Sequence, residues 1–341
     1  MKVTIKKIAE EAGVSITTVS NVINNKAHRV SENKRELIEG IIEKYNYSPN
    51  MNARALVRSS SRLIGLLYFS QTPQLDFTDP FVAEVLEGIE RITKPNGFFT
   101  LVHKVTSQKD IENIQKNWRF DGFIAVGFSQ SLFEKINQSI QVPIIFIDTH
   151  LDERIYSNIT EYPNRYFVNT DDFTAAFLAT DYLIENGHKK IAFLSYDFDI
   201  NQTSVVQQRY IGYLSALKKK NLIVSDSLLY THNDFDEMLA NFGDYSAVLI
   251  TADYLAIRFL YFLKENQVNY EEELSVIGFD DIKYAEFNDP PLTTVKLDQL
   301  KKGMLAMQML ADIVDKGKKV PQLTNLSGEL KIRETVKKIN E

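Results

Sequence analysis

Apolar residues recur at helical spacing in the first part of the chain. Ile5, Ile8, Ala9 and Ala12 fall on one face, Val19, Val22 and Ile23 on a second, and Leu37, Ile38, Ile41 and Ile42 on a third. Polar residues punctuate them. Thr4, Ser15 and Ser31 stand at N-cap positions, although Lys7 replaces the Glu or Gln of a full capping box. Gly13 is a helix stop, Asn24-Asn25-Lys26 ends the second stretch, and Tyr45-Asn46-Tyr47 closes the third. The pattern predicts three short helices. The second follows the first across a tight turn, as in a helix-turn-helix.

Between Ser48 and Arg58 the periodicity is lost. Pro49 can open a short helix, but the segment is too short and polar to stay helical alone, and Ser59-Ser60-Ser61 ends it. It reads as a hinge that orders only in context. From Arg62 onward, apolar runs of strand length alternate with amphipathic stretches. The runs are 63–68, 98–105, 122–126 and 142–147, then, after a loop, 190–194, 247–250 and 274–278. Helices are expected from about Pro80 to Thr93, up to near Trp118, and around 172–186, 205–220 and 253–266. Continuous apolar strands between helices indicate parallel sheets covered on both faces. The expected fold class is α/β: a three-helix head and a hinge helix, then two doubly wound parallel-sheet subdomains. Sheets of this kind bind ligands in the crevice at the carboxyl ends of their strands.

Composition changes this picture in three ways. With 341 residues the chain is long enough for two or three domains. It has no cysteine, so disulfides, thiolate metal sites and thiol nucleophiles are excluded. Its charge is divided: residues 1–62 hold eleven Lys/Arg against six Asp/Glu, and the remainder holds 28 against 39. A basic head suits phosphate contacts, whereas the acidic body would be repelled by a duplex. No apolar run approaches the ~18–20 residues of a membrane span, and no apolar stretch follows the basic N-terminus as in a secretory signal. The expected location is the cytoplasm. No Gly-x-Ser-x-Gly, His-Glu-x-x-His or Gly-rich phosphate loop occurs. Asp280-Asp281 imitates a catalytic carboxylate pair, but neighbours at a strand end point to opposite faces. Neither enzyme activity, nor a cofactor, nor a metal is expected.

The stretch Val3-Thr4-Ile5-Lys6-Lys7-Ile8-Ala9-Glu10-Glu11-Ala12-Gly13-Val14-Ser15, followed by Thr18-Val19-Ser20-Asn21-Val22-Ile23-Asn24, resembles the head of the LacI/GalR family of repressors. Tyr45-Asn46-Tyr47-Ser48-Pro49-Asn50, with Ala53 and Leu56, resembles its hinge. The body adds Phe120-Asp121-Gly122-Phe123-Ile124, Gly187-His188-Lys189-Lys190-Ile191-Ala192-Phe193, Arg209-Tyr210-Ile211-Gly212-Tyr213, Leu274-Ser275-Val276-Ile277-Gly278-Phe279-Asp280-Asp281 and Pro290-Pro291-Leu292-Thr293-Thr294-Val295. The resemblance covers essentially the whole chain, in the family's order. It implies a homodimeric transcription regulator with a body of periplasmic-binding-protein type, acting on pseudo-palindromic operator DNA. It also implies three chain crossings between the subdomains. The expected division is a head at 1–47, a hinge at 48–61 and a body at 62–341. Within the body, the first subdomain takes about 62–163 plus 293–325, and the second about 164–292 plus 326–335. The stretch after Pro291 is thus expected to return to the first subdomain.

The outward face of the second helix carries Ile16, Thr17, Ser20, Asn21 and Asn24, which the resemblance places in the major groove. Thr17 and Asn21 can bond base edges, and Ile16 can meet a thymine methyl. Thr4, Ser15, Thr18, Asn24 and Ser31 are candidates for phosphate contacts. Tyr47, Asn50 and Ala53 complete the DNA-facing set, and Leu56 matches the leucine that family members wedge into the minor groove. Many relatives carry Arg at the place of Asn21, which implies a different operator base here. In the cleft the resemblance implies Phe81, Asp148, Arg209 and Asp280, with Phe235 as a second ring. A guanidinium fork, carboxylate acceptors and aromatic rings suit a sugar. Ala252 and Leu297 replace the Asn and Gln of several relatives and remove two sugar-type hydrogen bonds. The stretch Gln71 to Asp79 is longer than in many relatives, a feature shared with maltose-type regulators, and points toward an α-glucoside. The function so implied is repression of a carbohydrate-utilisation operon, relieved by a sugar-like effector. An activator or corepressor-dependent regulator of the same architecture, and a sugar-binding protein, are the readings left open.

Overall fold

The computed structural model describes residues 3–23, 29–47, 60–69, 80–137 and 139–339. They fall into two compact units, Met1–Ser61 and Arg62–Glu341. In the first, α1 (Ile5–Glu11), α2 (Ile16–Ile23) and α3 (Glu32–Lys44) enclose one small core. Each contributes a fully buried aliphatic residue: Ile8, Val19 and Ile38. Ala9, Ala12, Val22 and Ile41 complete the core. The Thr4 hydroxyl accepts from the Lys7 amide at 3.4 Å, and the Ser15 hydroxyl accepts from the Thr18 amide at 3.1 Å, so both cap as expected. Ser31 stands at the N-cap of α3 but makes no side-chain capping bond. The chain reverses between α1 and α2 at Gly13, whose φ of 61° is left-handed. One expectation fails here. Leu37 is 50% exposed, because three short helices close over a single seam and Ile38 and Ile41 already fill it.

The body runs β1 (Leu63–Phe69), α4 (Pro80–Thr93), β2 (Phe99–Val105), α5 (Gln108–Asn117), β3 (Gly122–Val126), α6 (Gln130–Asn137), β4 (Ile144–Ile147), α7 (Glu153–Ser157) and β5 (Arg165–Thr170). It continues with α8 (Asp172–Glu185), β6 (Ile191–Ser195), α9 (Val205–Lys219), β7 (Leu229–Thr231), α10 (Phe235–Ala240), β8 (Ala247–Ile250), α11 (Asp253–Glu265), α12 (Tyr270–Glu273), β9 (Ser275–Asp280) and α13 (Lys283–Phe287). The last elements are β10 (Thr293–Lys296), α14 (Gln299–Lys316), β11 (Leu323–Leu326) and β12 (Glu329–Lys331). Two six-stranded sheets result, in the orders β11-β5-β4-β3-β1-β2 and β12-β10-β9-β8-β6-β7. Every pairing is parallel except that of β12 with β10. Each sheet carries an apolar cluster on both faces, as uninterrupted apolar strands require.

The chain crosses between the sheets three times, as expected, but two crossings lie later than expected. Residues 164–170 stay with the first sheet, because β5 pairs with β4, setting Ile144 beside Arg165. Residues 293–296 stay with the second, because β10 pairs with β9, setting Thr293 beside Ile277. Return to the first sheet therefore begins only at α14. The third crossing lies between β11 and β12.

The buried Arg165 guanidinium explains why a strand can start on a charged residue. It donates to the Asn137 side chain at 2.8 Å and to the backbone carbonyls of Asn137, Ile140, Val142 and Asn164. At the far end of the second sheet the last described residues form a strap. Thr335 donates to the Val276 carbonyl at 2.7 Å and accepts from the Thr293 amide at 2.8 Å. His188 bonds the Lys337 carbonyl at 3.1 Å and the Ser246 hydroxyl at 2.9 Å, and the Ile339 amide donates to the Asn186 carbonyl at 2.8 Å.

Helices α4 and α14 touch backbone to backbone. A Cβ on Gly303 would lie 2.3 Å from the Val85 carbonyl oxygen, and one on Gly88 would lie 2.2 Å from that of Leu300. This contact seats the first turn of α14. Gly303→Ala should cost about 1–3 kcal/mol, the usual range for overpacking. Gly40→Ala, in α3 with nothing within 4 Å of the added carbon, should instead gain roughly 0.5–1 kcal/mol. Denaturant unfolding of both variants reads the two signs.

Candidate functional site

Helix α2 turns Val19 and Val22 inward, which leaves Ile16, Thr17, Ser20 and Asn21 on the opposite side. Ile16 is 48% exposed, unusual for an isoleucine beside so small a core. Thr17 is exposed, and Ser20 and Asn21 are half-buried. Ser15 and Thr18 join hydroxyl to hydroxyl at 2.9 Å at the helix start. Thr4 and Ser31 are exposed at the starts of α1 and α3. The structure thus brings one apolar and three polar side chains onto one face. The tyrosine at 47 packs against the head core. The candidates Asn24, Asn50, Ala53 and Leu56 lie outside the described residues, as does the 71–79 stretch.

The second candidate site lies where the strands of both sheets end. Asp148 follows β4 and Asp280 ends β9, and both hold positive φ, 50° and 109°. Such conformations cost non-glycine residues about 1–3 kcal/mol each and gather at functional sites. Asp148 is 8% exposed and meets a partner that the sequence reading missed. The Lys302 ammonium, 1% exposed, donates to both Asp148 carboxylate oxygens, at 2.7 and 2.9 Å. Lys302 sits one turn into α14, and the Gly88–Gly303 contact holds it there.

Arg209, on α9, is equally buried. Its Nε donates to Asp172 at 2.8 Å, its Nη1 donates to the Thr251 carbonyl at 2.5 Å, and its guanidinium lies 4.4 Å from the Phe279 ring centre. Burial disfavours its charge, but Asp172 and Asp280 outweigh this and raise its pKa. Asp172, the first residue of α8, also meets His150 Nε2 at 2.8 Å. This contact joins the loop after β4 to the second lobe. Burial pushes the Asp172 carboxyl up, but Arg209 and His150 prevail and hold it down to about 2.

Asp253 takes the opposite course. Burial and then Asp280 push its carboxyl well above the ordinary range. Thr294 donates to it at 2.5 Å and the Ile282 amide at 3.0 Å. It ties β10 and the loop after β9 to the start of α11. Four neutral groups stand near the same ends: the hydroxyls of Thr170, Ser195 and Thr251, and both polar atoms of the Gln299 amide. All are buried without a hydrogen-bond partner among the described residues.

The structure therefore unites Asp148, Arg209 and Asp280 with Lys302, Asp172 and His150. Phe81 is half-buried against the first sheet's core, near the start of α4. Phe235 is a correction. Its ring lies 5.2 Å from that of Phe259 and 5.4 Å from that of Phe262, so it packs α10 onto α11. Leu297 is likewise core, buried among the residues of α8 and α9. A lysine on the otherwise apolar stripe Gly303, Ala306, Met307, Leu310 was the signal available for Lys302.

The two aspartates predict opposite pH responses. A carboxyl held low adds stability above the ordinary carboxylate range and loses it as pH falls toward about 2. A carboxyl held high binds its proton more tightly when folded, so stability falls as pH rises through its folded value. Asp172→Asn should therefore destabilise most at neutral pH, with the deficit shrinking in acid. Asp253→Asn should gain on wild type as pH rises. Unfolding midpoints between pH 3 and 8 decide, and a constant offset for either variant would contradict its assignment.

Comparison with known proteins matches both units. Residues 4–50 match the family of bacterial regulatory proteins, lacI family, and residues 180–336 match a periplasmic binding protein-like domain. The HTH-type transcriptional repressor PurR of Vibrio vulnificus is 29% identical over 99% of both chains. PurR of Haemophilus influenzae is 28% identical over 98% of this chain and 99% of its own. Among solved structures, the Lac repressor dimer bound to operator and the anti-inducer ONPF superposes with a TM-score of 0.82 at 24% identity, covering 99% of this chain and all of the other. The complex of the transcriptional regulator CelR with cellobiose gives 0.70 at 23%, covering 98% and 99%. The chain thus joins a helix-turn-helix head of the lacI family of bacterial regulatory proteins to a periplasmic-binding-protein-like body.

Proposed function

We propose that this chain is a cytoplasmic transcriptional repressor of carbohydrate-utilisation genes, with DNA affinity that falls when a small sugar-like effector enters the cleft. The observation that carries the reading is the exposed face of α2, where Ile16, Thr17, Ser20 and Asn21 stand opposite a fully buried stripe. Thr17 and Asn21 contact base edges, and Ile16 meets a thymine methyl. Thr4, Ser15, Thr18 and Ser31 bond phosphates and set register. Asn24, Tyr47, Asn50 and Ala53 extend the contacts, and Leu56 wedges into the minor groove at the operator centre. A homodimer then reads two half-sites of a pseudo-palindrome. Relatives named as repressors, and a related fold solved with cellobiose, support the repressor and sugar parts of the reading.

In the cleft, Arg209, Asp148 and Asp280 offer a donor fork and carboxylate acceptors to a polyhydroxylated ligand, with Phe81 at its apolar side. The coupling is a shift between lobe arrangements. An effector that favours one arrangement changes DNA affinity by its differential affinity for the two, about 1–3 kcal/mol in typical cases.

Two outcomes are expected. Selection from a random duplex pool should enrich a two-fold site, and Asn21→Arg should change one base per half-site toward guanine. An unchanged consensus would refute base contact by Asn21. A thermal-shift panel of sugars and sugar phosphates should then yield a compound that releases the selected duplex. If no stabilising compound does so, the effector half of the proposal fails.

A further inference from the structure

Two buried cations stand at the strand ends, and each is paired with a carboxylate. Lys302 is closed by both oxygens of Asp148. Arg209 bonds Asp172 through Nε and the Thr251 carbonyl through Nη1, and its charge lies beside Asp172 and Asp280. Lys302, Arg209 and His150 thus face the three carboxylates of Asp148, Asp172 and Asp280. Around them the charge is mixed: Glu84 of α4 stands within electrostatic reach of Asp281, Asp298 and Lys296, and Asp281 accepts from Arg333 at 2.6 Å. Among the described residues, the unpartnered polar groups nearest these charges, Thr170, Ser195, Thr251 and Gln299, are uncharged, and the unpartnered Lys104 ammonium stands apart on β2.

We infer that Lys302 is a specificity-determining residue of the cleft: paired with Asp148, it sets the site to accept an uncharged polyhydroxylated effector and to reject phosphorylated or carboxylated ones. The inference rests on the cleft being the effector site. An anion entering the cleft has to displace Asp148 from Lys302, which would leave a buried carboxylate without its partner. A neutral polyol meets no such penalty. It takes the third Lys302 hydrogen as donor and the Gln299 amide as donor and acceptor, and leaves both ion pairs intact. A lysine in a sugar-binding cleft is easily read as a phosphate receptor. Here its charge is already committed.

The test uses the full chain and inorganic phosphate, so it does not depend on knowing the effector. Thermal unfolding of wild type, Lys302→Met, Asp148→Asn and the Asp148→Asn/Lys302→Met double variant is followed against phosphate at constant ionic strength. Phosphate bound by the basic head is common to all four and cancels. Wild type and Lys302→Met should respond alike. Asp148→Asn, which frees the ammonium, should gain an added rise of about 2–4 °C at tenfold its phosphate Kd, and the double variant should lose that gain. A phosphate response in wild type that Lys302→Met abolishes overturns the inference, as does an Asp148→Asn response no larger than that of the double variant. If Asp148→Asn does not fold, the comparison of wild type with Lys302→Met still decides. A second arm pairs glucose, fructose and trehalose with their phosphate esters in the DNA-release assay. A phosphate ester that outperforms its neutral partner also overturns the inference. Silence of every sugar, with the phosphate result as expected, sinks the sugar reading but leaves the charge filter standing.

Discussion

Three passages of the chain between two sheets constrain everything in the body. They occur after β5, after β10 and after β11, so each lobe is built from distant parts of the sequence. Neither sheet can be completed until the other has been entered. The passages after β5 and β10 lead straight into α8 and α14, and the first turns of these helices hold Asp172, Gln299 and Lys302. The segments that connect the lobes are therefore also the segments that furnish the cleft. Any change in the relation between the lobes must move groups that would touch a ligand.

The buried charges follow from the same arrangement. Taking an ammonium or a carboxylate from water costs several kcal/mol per ion, and removing one member of a buried pair typically costs about 3–5 kcal/mol. The Lys302–Asp148 and Arg209–Asp172 pairs satisfy that demand within single lobes. His150–Asp172 alone among these contacts reaches from one lobe to the other. The ionic frame of the cleft is thus assembled mainly before any ligand arrives, and the lobes are left free to respond to a ligand.

Much of this was legible in the sequence, for identifiable reasons. The head could be read because Ile8, Val19 and Ile38 repeat at helical spacing between real caps. The strands buried on both faces, such as Phe123 to Val126 and Ala247 to Ile250, could be read from unbroken apolar runs. The strands that misplaced the crossings could not. Arg165 to Thr170 and Thr293 to Lys296 carry polar residues, and only their pairing with β4 and β9 makes them strands of those sheets. Lys302 was missed because a lysine ordinarily marks a solvated face, and only the fold supplies Asp148. Phe235 was misassigned because motif order places a ring near a cleft without showing Phe259 and Phe262 beside it.

The strap formed by Thr335, Lys337 and Ile339 gives the second lobe two mechanically different ends. At the strap end, β9, β10 and the β6 entry are tied by bonds to the Val276 carbonyl, the Thr293 amide, His188 and Asn186. At the cleft end, the same strands finish in left-handed aspartates and unpartnered hydroxyls. The strap thus ties together the end of the sheet that lies farthest from the strand ends a ligand would touch.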